Sequence, residues 1–361
     1  MEAERLLRLN PAACLVVELL DGTRDLDQVR DILLPLTGDA GWAASRTWIE
    51  DALRDGWLTA GPDLGKSPSL SANALTALAR TLRDRDHVLA AFICQQRAAE
   101  LAPDDPRVWY QLGELAHIVG RREDARAAYE RYFERHPEDA EIEHLLIALR
   151  NAASPDRVSD RCIVQLYERF ASFYDRNMSD EIEYQGPVLL EAAIAASLGD
   201  RRGLDILDLG CGTGLSGEAM RSRSRHLTGV DLSPSMIERA RGRSVYDVLA
   251  VSEITAFLRQ DAEGRSDLIT AWDVLIYFGD LRQVIVPAAG RLTPGGLIAF
   301  TVERADVYPF ALTDSGRFTH HRDHVTEVAA DAGLAVVSLT DAVLRHEYGN
   351  PVPGLVAVLG A

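Results

Sequence analysis

The sequence predicts an α/β protein whose C-terminal half is a sheet of alternating strands and helices, preceded by two smaller, mainly helical blocks. Three observations predict it. From about Pro155 onward, short apolar runs of strand length alternate with amphipathic stretches of helix length. A glycine-rich turn, Gly210-Cys-Gly-Thr-Gly214, follows the first of these runs and leads straight into a helix. Ahead of that half, a 34-residue period spans Pro106 to Asp139.

Bulk properties narrow the function. The chain has 361 residues and a formal net charge of −17. That argues against binding a phosphate backbone, which needs a basic face, although a local basic patch is not excluded. The single lysine, Lys66, leaves arginine as the source of positive charge, so a Schiff-base lysine is not expected. Cys14, Cys94, Cys162 and Cys211 lie far apart and form no CxxC pair, which reads as a reduced chain without a disulfide framework or a metal site. No stretch approaches the apolar length of a membrane span, and the first residues carry no basic segment followed by an apolar run. The expectation is a cytoplasmic protein without membrane or nucleic-acid partners. Its oligomeric state is open, a homodimer being compatible.

Punctuation divides the chain into 1–62, 70–151 and 156–361, with linkers at GPDLGKSPSLS and NAASPDRVSD. In the first block, LNPAACLVVELLDGTRDLDQVRDIL places apolar residues at helical spacing around a DGT turn, and Ala43 to Leu53 forms a further amphipathic helix leading into DGWL. This block resembles the PqqD-like family of winged-helix elements that hold leader peptides. The resemblance implies a peptide partner, with Glu4 to Leu9 as the one candidate edge strand. In the second block, Trp109, Leu112, Gly113, Ala125, Tyr129 and Pro137 fall at the spacing of tetratricopeptide (TPR) repeats, and Leu75, Leu78, Ala91 and Pro103 repeat it one period earlier. Gly113 and Ala125 let paired helices approach closely. Glu141 to Arg150 reads as a solvating cap helix. The block is read either as a spacer or as a peptide-binding groove.

The third block opens with a helix whose Ile163, Leu166, Phe170 and Phe173 share a face. Leu204 to Leu209 is the first strand. Gly210, Gly212 and Gly214 then allow the backbone to turn sharply and lie against a ligand. Gly212, Gly214 and Gly217 also satisfy the dinucleotide pattern, which alone is weak. Asp208, just before the turn, favours S-adenosylmethionine (SAM) over NAD: a carboxylate there can hold a cationic ammonium, directly or through water, and would repel a pyrophosphate. His226 to Asp231 is the second strand, and Asp231 follows Asp208 by 23 residues, where an acid can accept ribose hydroxyls. Ser233 or Ser235 caps the next helix. A fourth strand ends near Trp272 and Asp273, a fifth follows Pro294-Gly-Gly296, and Leu334 to Leu339 and Leu355 to Leu359 are two closing strands.

Together LDLGCGTG, VDLSPSM, AWDVLIYFGDL, PGGLIAFTVE and GRFTHHRDHV resemble class I SAM-dependent methyltransferases, in particular those joined to TPR repeats. The resemblance covers Leu166 to Gly360. It implies a Rossmann-like seven-stranded sheet with an antiparallel hairpin edge, and SAM at the carboxyl ends of the strands. It places Gly210, Cys211, Gly212, Gly214 and Leu232 beside the cofactor. It puts Glu253, with Ser252 and Ile254, at the adenine, where the family usually has Asp, and Trp272 and Asp273 at the methionyl end. Its entry segment, here LYERFASFYDRNM followed by Tyr184, makes Tyr174 and Tyr184 candidate wall residues.

Methyl transfer from a sulfonium needs no acid on the leaving group, so positioning can supply most of the catalysis, and a base helps an acceptor that must lose a proton. The candidate acceptor-side residues are Glu303, His320 and His321, with Arg345 and Glu347 on the last hairpin, and the resemblance makes His320, which follows GRF-like residues in that family, the favoured base. Arg317 and Arg345 are candidates to hold an acidic acceptor. The two appended blocks point to a peptide or protein substrate, as in the maturation of ribosomally made peptides. A small-molecule substrate, a non-catalytic adaptor and an NAD-linked enzyme are the alternatives.

Overall fold

The computed structural model of the chain describes residues 19–20, 24–54, 71–85, 87–150, 154–170, 186–260, 265–347 and 350–361, and it divides into two compact units, Met1–Arg135 and His136–Ala361. In the first unit, α1 (Leu26–Arg54) carries Pro35 and breaks its helical geometry at Gly38, where φ is 67°. Four shorter helices follow: α2 (Ala72–Arg83), α3 (Val88–Leu101), α4 (Pro106–Ile118) and α5 (Arg122–Phe133). Ser71 caps α2, its hydroxyl accepting from the Ala74 amide at 3.3 Å. Gly113 of α4 faces Tyr129 of α5 so closely that a Cβ there would lie 2.4 Å from the ring. The Trp109 indole donates to the Pro103 carbonyl at 2.8 Å. The candidate edge strand Glu4–Leu9 and the DGWL segment lie outside the described residues. Among those residues no helix is long and apolar enough to cross a membrane.

The second unit begins with a correction. Helix α6 (Ala140–Leu149), expected to close the helical repeats as a solvating cap, falls in this second unit instead, where it buries Ile142, His144, Leu146, Ala148 and Leu149. It packs on α7 (Asp160–Phe170), and Arg169 joins the two through Asp139 at 2.7 Å. The His144 ring donates to the Gly316 carbonyl at 2.8 Å, deep in the same unit.

Helix α8 (Gly186–Leu198) leads into the sheet. Its strands are β1 (Leu204–Leu209), β2 (Ser224–Asp231), β3 (Val248–Val251), β4 (Ser266–Ala271), β5 (Leu292–Arg304), β6 (Phe310–Leu312), β7 (Phe318–His320), β8 (Ala335–Glu347) and β9 (Asn350–Gly360). The helices between them are α9 (Leu215–Arg221), α10 (Pro234–Arg243), α11 (Ile254–Arg259), α12 (Arg282–Ala289) and α13 (Arg322–Asp331). The order β3-β2-β1-β4-β5 is parallel, and β9 runs antiparallel between β5 and β8. Side chains alternate as a doubly covered sheet requires. Ile206, Leu268, Leu297 and Ala299 enter one buried cluster, while Leu207, Ile269, Ile298 and Phe300 enter the other.

The expected seven strands are therefore present, but nine occur among the described residues. The addition is the β6–β7 hairpin. Strand β7 pairs with the end of β5 at Glu303 and Arg304, beyond the point where β4 stops. Phe310 and Phe318 pack edge to face with centroids 6.1 Å apart, which gives this short hairpin its apolar content.

Candidate functional site

The site lies at the carboxyl ends of β1, β2 and β4, where the strand order reverses. The turn after β1 is stripped of side chains for two reasons. Gly210 (φ 68°) has no room for a Cβ, which would fall 2.4 Å from a Val274 methyl. Gly212 (φ 53°) instead faces open space, so its bare backbone forms part of the pocket floor. Its amide donates to Asp231 Oδ2 at 2.9 Å, and the Ser233 amide donates to Asp231 Oδ1 at 2.8 Å. Burial pushes the Asp231 carboxyl above its ordinary range, and the two amides work against that shift. The result is an orientated acid lining the pocket, with lone pairs left to accept further hydrogen bonds. Ser233 is also the N-cap of α10.

Gly210, Gly212, Asp231, Leu232, Glu253 and Ile254 line one side of this pocket, and Trp272 and Asp273 line the other. Glu253 serves first as the N-cap of α11: its carboxylate accepts from the Thr255 and Ala256 amides at 3.0 and 2.8 Å. Asp273 adopts φ 52°, rare for a non-glycine residue, and is held there by two bonds. Its amide donates to the Thr301 hydroxyl at 2.9 Å, and its carboxylate accepts from Arg345 at 3.1 and 3.2 Å.

Other expected residues stand back from the pocket. Asp208 is fully covered, and its oxygens accept from the hydroxyls of Ser216 (2.5 Å), Tyr246 (2.6 Å) and Thr270 (2.9 Å). It lies on the face of β1 beneath the turn, so direct contact with a bound ammonium is not its role. Cys211 and Gly214 also lie behind the lining; the Cys211 amide donates to Val230 and burial pushes its thiol far up. The Ser252 hydroxyl turns back to the Glu253 carbonyl. Tyr174 and Tyr184 fall outside the described residues.

The acceptor-side candidates change most. His320 is fully buried, and its Nε2 donates to the carbonyls of Phe278 (2.9 Å) and Gly279 (3.0 Å). Burial drives its pKa down to about 4. The ring pins the pocket wall from behind and presents no nitrogen to a substrate, so it is not the base. His321 caps α13, accepting from the Asp323 amide at 3.2 Å. Glu303 and Arg345 belong to a buried ionic network. Arg345 reaches Asp273, Glu303 and Glu347, the last at 2.7 Å, and Arg317 reaches Glu303 at 2.8 Å and Glu347 at 2.7 Å. Burial opposes the Arg345 charge, and its three carboxylates more than offset that. Both guanidinium groups are already committed, so neither is placed to grip an acidic acceptor.

Sequence reasoning missed one part of the pocket wall. Ile163, Tyr167, Val274, Tyr277 and Phe278 line it, and the Tyr167 and Tyr277 hydroxyls meet at 2.8 Å. Burial raises the Tyr277 phenol to about 12, so it stays protonated. The helical face containing Ile163 and Leu166 was the one available signal.

A doubly wound domain with a bare turn and an acid on the neighbouring strand tip defines a nucleoside-cofactor enzyme. Comparison with known proteins makes this specific. The methyltransferase domain family matches residues 207–298. The ubiquinone biosynthesis O-methyltransferase of Coxiella burnetii (strain Dugway 5J108-111) is 29% identical over 157 residues, covering 38% of this chain and 67% of that protein. The malonyl-[acyl-carrier protein] O-methyltransferase of Pseudescherichia vulneris is 29% identical over 180 residues, covering 49% and 67%. The structure of the N-methyltransferase NodS from Bradyrhizobium japonicum WM9 is similar at 22% identity and a TM-score of 0.44, covering 55% of this chain and 97% of that one. The chain carries a class I SAM-dependent methyltransferase domain and is a methyltransferase that uses SAM. This sets aside the oxidoreductase and adaptor readings.

Proposed function

We propose that the enzyme methylates an oxygen or nitrogen of a small molecule, and that it does so by positioning rather than through a dedicated base. The observation that carries this reading is the state of the three carboxylates lining the pocket. Asp231 is taken up by backbone amides, Glu253 by its helix cap and Asp273 by Arg345. When bound, SAM supplies an electrophilic methyl group on a sulfonium. Asp231 accepts the ribose hydroxyls, Ile254 and Glu253 flank the adenine, and the backbone of Trp272 and Asp273 borders the methionyl end. Tyr167 and Tyr277 hold the acceptor by hydrogen bonds, with Ile163 and Phe278 excluding water. An acceptor that arrives ionised or as a neutral amine attacks with its own lone pair as the carbon–sulfur bond breaks, and a proton left on the product passes to solvent water, so positioning suffices. The O-methyltransferase names of the two curated relatives agree with an oxygen acceptor.

A second reading, a peptide or protein acceptor in ribosomal-peptide maturation, draws on the first unit. Asn73, Arg80, Arg107 and Gln111 line a polar groove between α2 and α4, in the block that resembles TPR repeats. One experiment separates the two readings. The full chain is given SAM with a panel of small phenols, amines and carboxylates, and separately with precursor peptides encoded beside its gene. Release of S-adenosylhomocysteine with a small acceptor supports the proposal. Release with peptide alone replaces it by the second reading.

A further inference from the structure

The third glycine of the weak dinucleotide pattern, Gly217, has an explanation unrelated to a dinucleotide. A Cβ on it would lie 2.4 Å from Cζ of Tyr246. The same ring lies against Gly229 of β2, where a Cβ would be 2.8 Å away, and Gly214, where it would be 3.2 Å away. Three glycines thus form the seat of one tyrosine. Tyr246 stands between α10 and β3, far in sequence from the turn, and is partly buried beneath it. Its hydroxyl donates to Asp208 Oδ2 at 2.6 Å and lies 3.4 Å from the Ser216 hydroxyl. Ser216 and Thr270 supply the other donors to the same carboxylate. The glycine turn is therefore held from below by this cluster, while its upper surface, Gly210 and Gly212, floors the cofactor pocket.

We propose that Tyr246 is a positioning residue for the cofactor turn: by donating to a charged Asp208 it fixes the turn in the shape that binds SAM. The chemistry of the cluster requires the charge. An ionised Asp208 accepts all three hydroxyl protons. A neutral one must itself donate, so one of the three hydroxyls has to reverse from donor to acceptor and the charge-assisted hold on the turn is lost. Burial pushes the Asp208 carboxyl up to about 6, against the pull of the Ser216, Tyr246 and Thr270 hydroxyls. The charged form thus prevails above that value and is lost below it. Other groups facing Asp208 are Asp231, whose carboxyl burial also raises, and Cys211, whose thiol stays neutral because burial pushes it far up. Burial and the Asp208 charge likewise keep the Tyr246 phenol protonated, so it acts only as a donor.

The test is calorimetric binding of SAM to the full chain from about pH 5.5 to about pH 8.5, comparing the natural protein with Tyr246→Phe and Thr270→Val. Each variant keeps the shape of the side chain and removes one donor to Asp208. Binding weakens with falling pH in all three proteins, with Asp231 contributing equally to each. The expected result is that both variants move the midpoint of that loss to higher pH. At neutral pH, Tyr246→Phe should weaken SAM by on the order of tenfold, the loss expected for a hydrogen bond to a charged group. The apo melting temperature separates mere packing from positioning. A lower melting temperature with an unchanged midpoint and SAM affinity within about twofold of the natural protein overturns the proposal. If Tyr246→Phe fails to fold, Thr270→Val decides by the same criterion.

Discussion

Asp231 and His320 were both single-residue readings, and the structure treats them differently. Asp231 followed from a local rule: an acid at the tip of the strand next to a glycine turn. The structure keeps it at the pocket, orientated by two amides. Asp231→Ala should weaken SAM by at least about tenfold, since it removes a charged hydrogen-bond acceptor, with the loss read by calorimetry. His320 was read from a motif whose geometry the sequence does not contain. Its role depends on the carbonyls of Phe278 and Gly279, more than forty residues earlier in the chain. His320→Ala should therefore act on stability. Removing a buried ring that makes two hydrogen bonds should cost about 2–4 kcal/mol in denaturant unfolding. SAM affinity of the folded fraction should change little. A variant of normal stability and slow turnover would restore the catalytic reading. The same distinction explains why Tyr246 was invisible: no local pattern marks a side chain that fills the space left by three glycines elsewhere.

Elements were legible where their signal is periodic and failed where it is contextual. Strand β1 and the helix after the glycine turn lay where alternation and punctuation put them, and of the two cap candidates, Ser233 and Ser235, it is Ser233 that caps α10. The β6–β7 hairpin was missed because three-residue strands carry no period, and their pairing is set by the overhanging end of β5. Helix α6 was assigned to the repeats because it follows them directly in sequence, whereas its buried face packs in the second unit. The close approach of α4 and α5 was legible in Gly113. Gly113→Ala places a methyl into the Tyr129 ring, and two packed helices must separate or the ring must leave its rotamer. About 1–3 kcal/mol of destabilisation is expected from such overpacking. It should appear as earlier unfolding of the first unit by circular dichroism, with SAM binding to the second unit unchanged. A parallel loss of SAM affinity would count against independent units.

At the scale of the whole molecule, the question is where the catalytic unit begins. Sequence punctuation puts its start at Asp156, within the break at 151–160. The contacts of the fold put it near His136, because α6 is part of what makes this unit stable. Ile142 and Leu146 are almost fully buried, and each would expose its cavity in a fragment lacking them. The loss of two such side chains is worth about 1.5–3 kcal/mol apiece in transfer free energy alone. The buried Asp139 would no longer meet Arg169, and the Gly316 carbonyl would lose the His144 ring that satisfies it. That carbonyl lies in the turn joining β6 to β7, so the loss passes to the hairpin carrying His320 and hence to the wall formed by Phe278. Two fragments test the argument. One running from His136 to Ala361 should melt cooperatively and bind SAM as the full chain does. One running from Asp156 to Ala361 should melt several degrees lower and bind SAM more weakly, because part of its population is unfolded at ordinary temperature. Equal melting and equal affinity in the two would place the boundary where the sequence alone puts it and leave α6 as an ornament of the first unit.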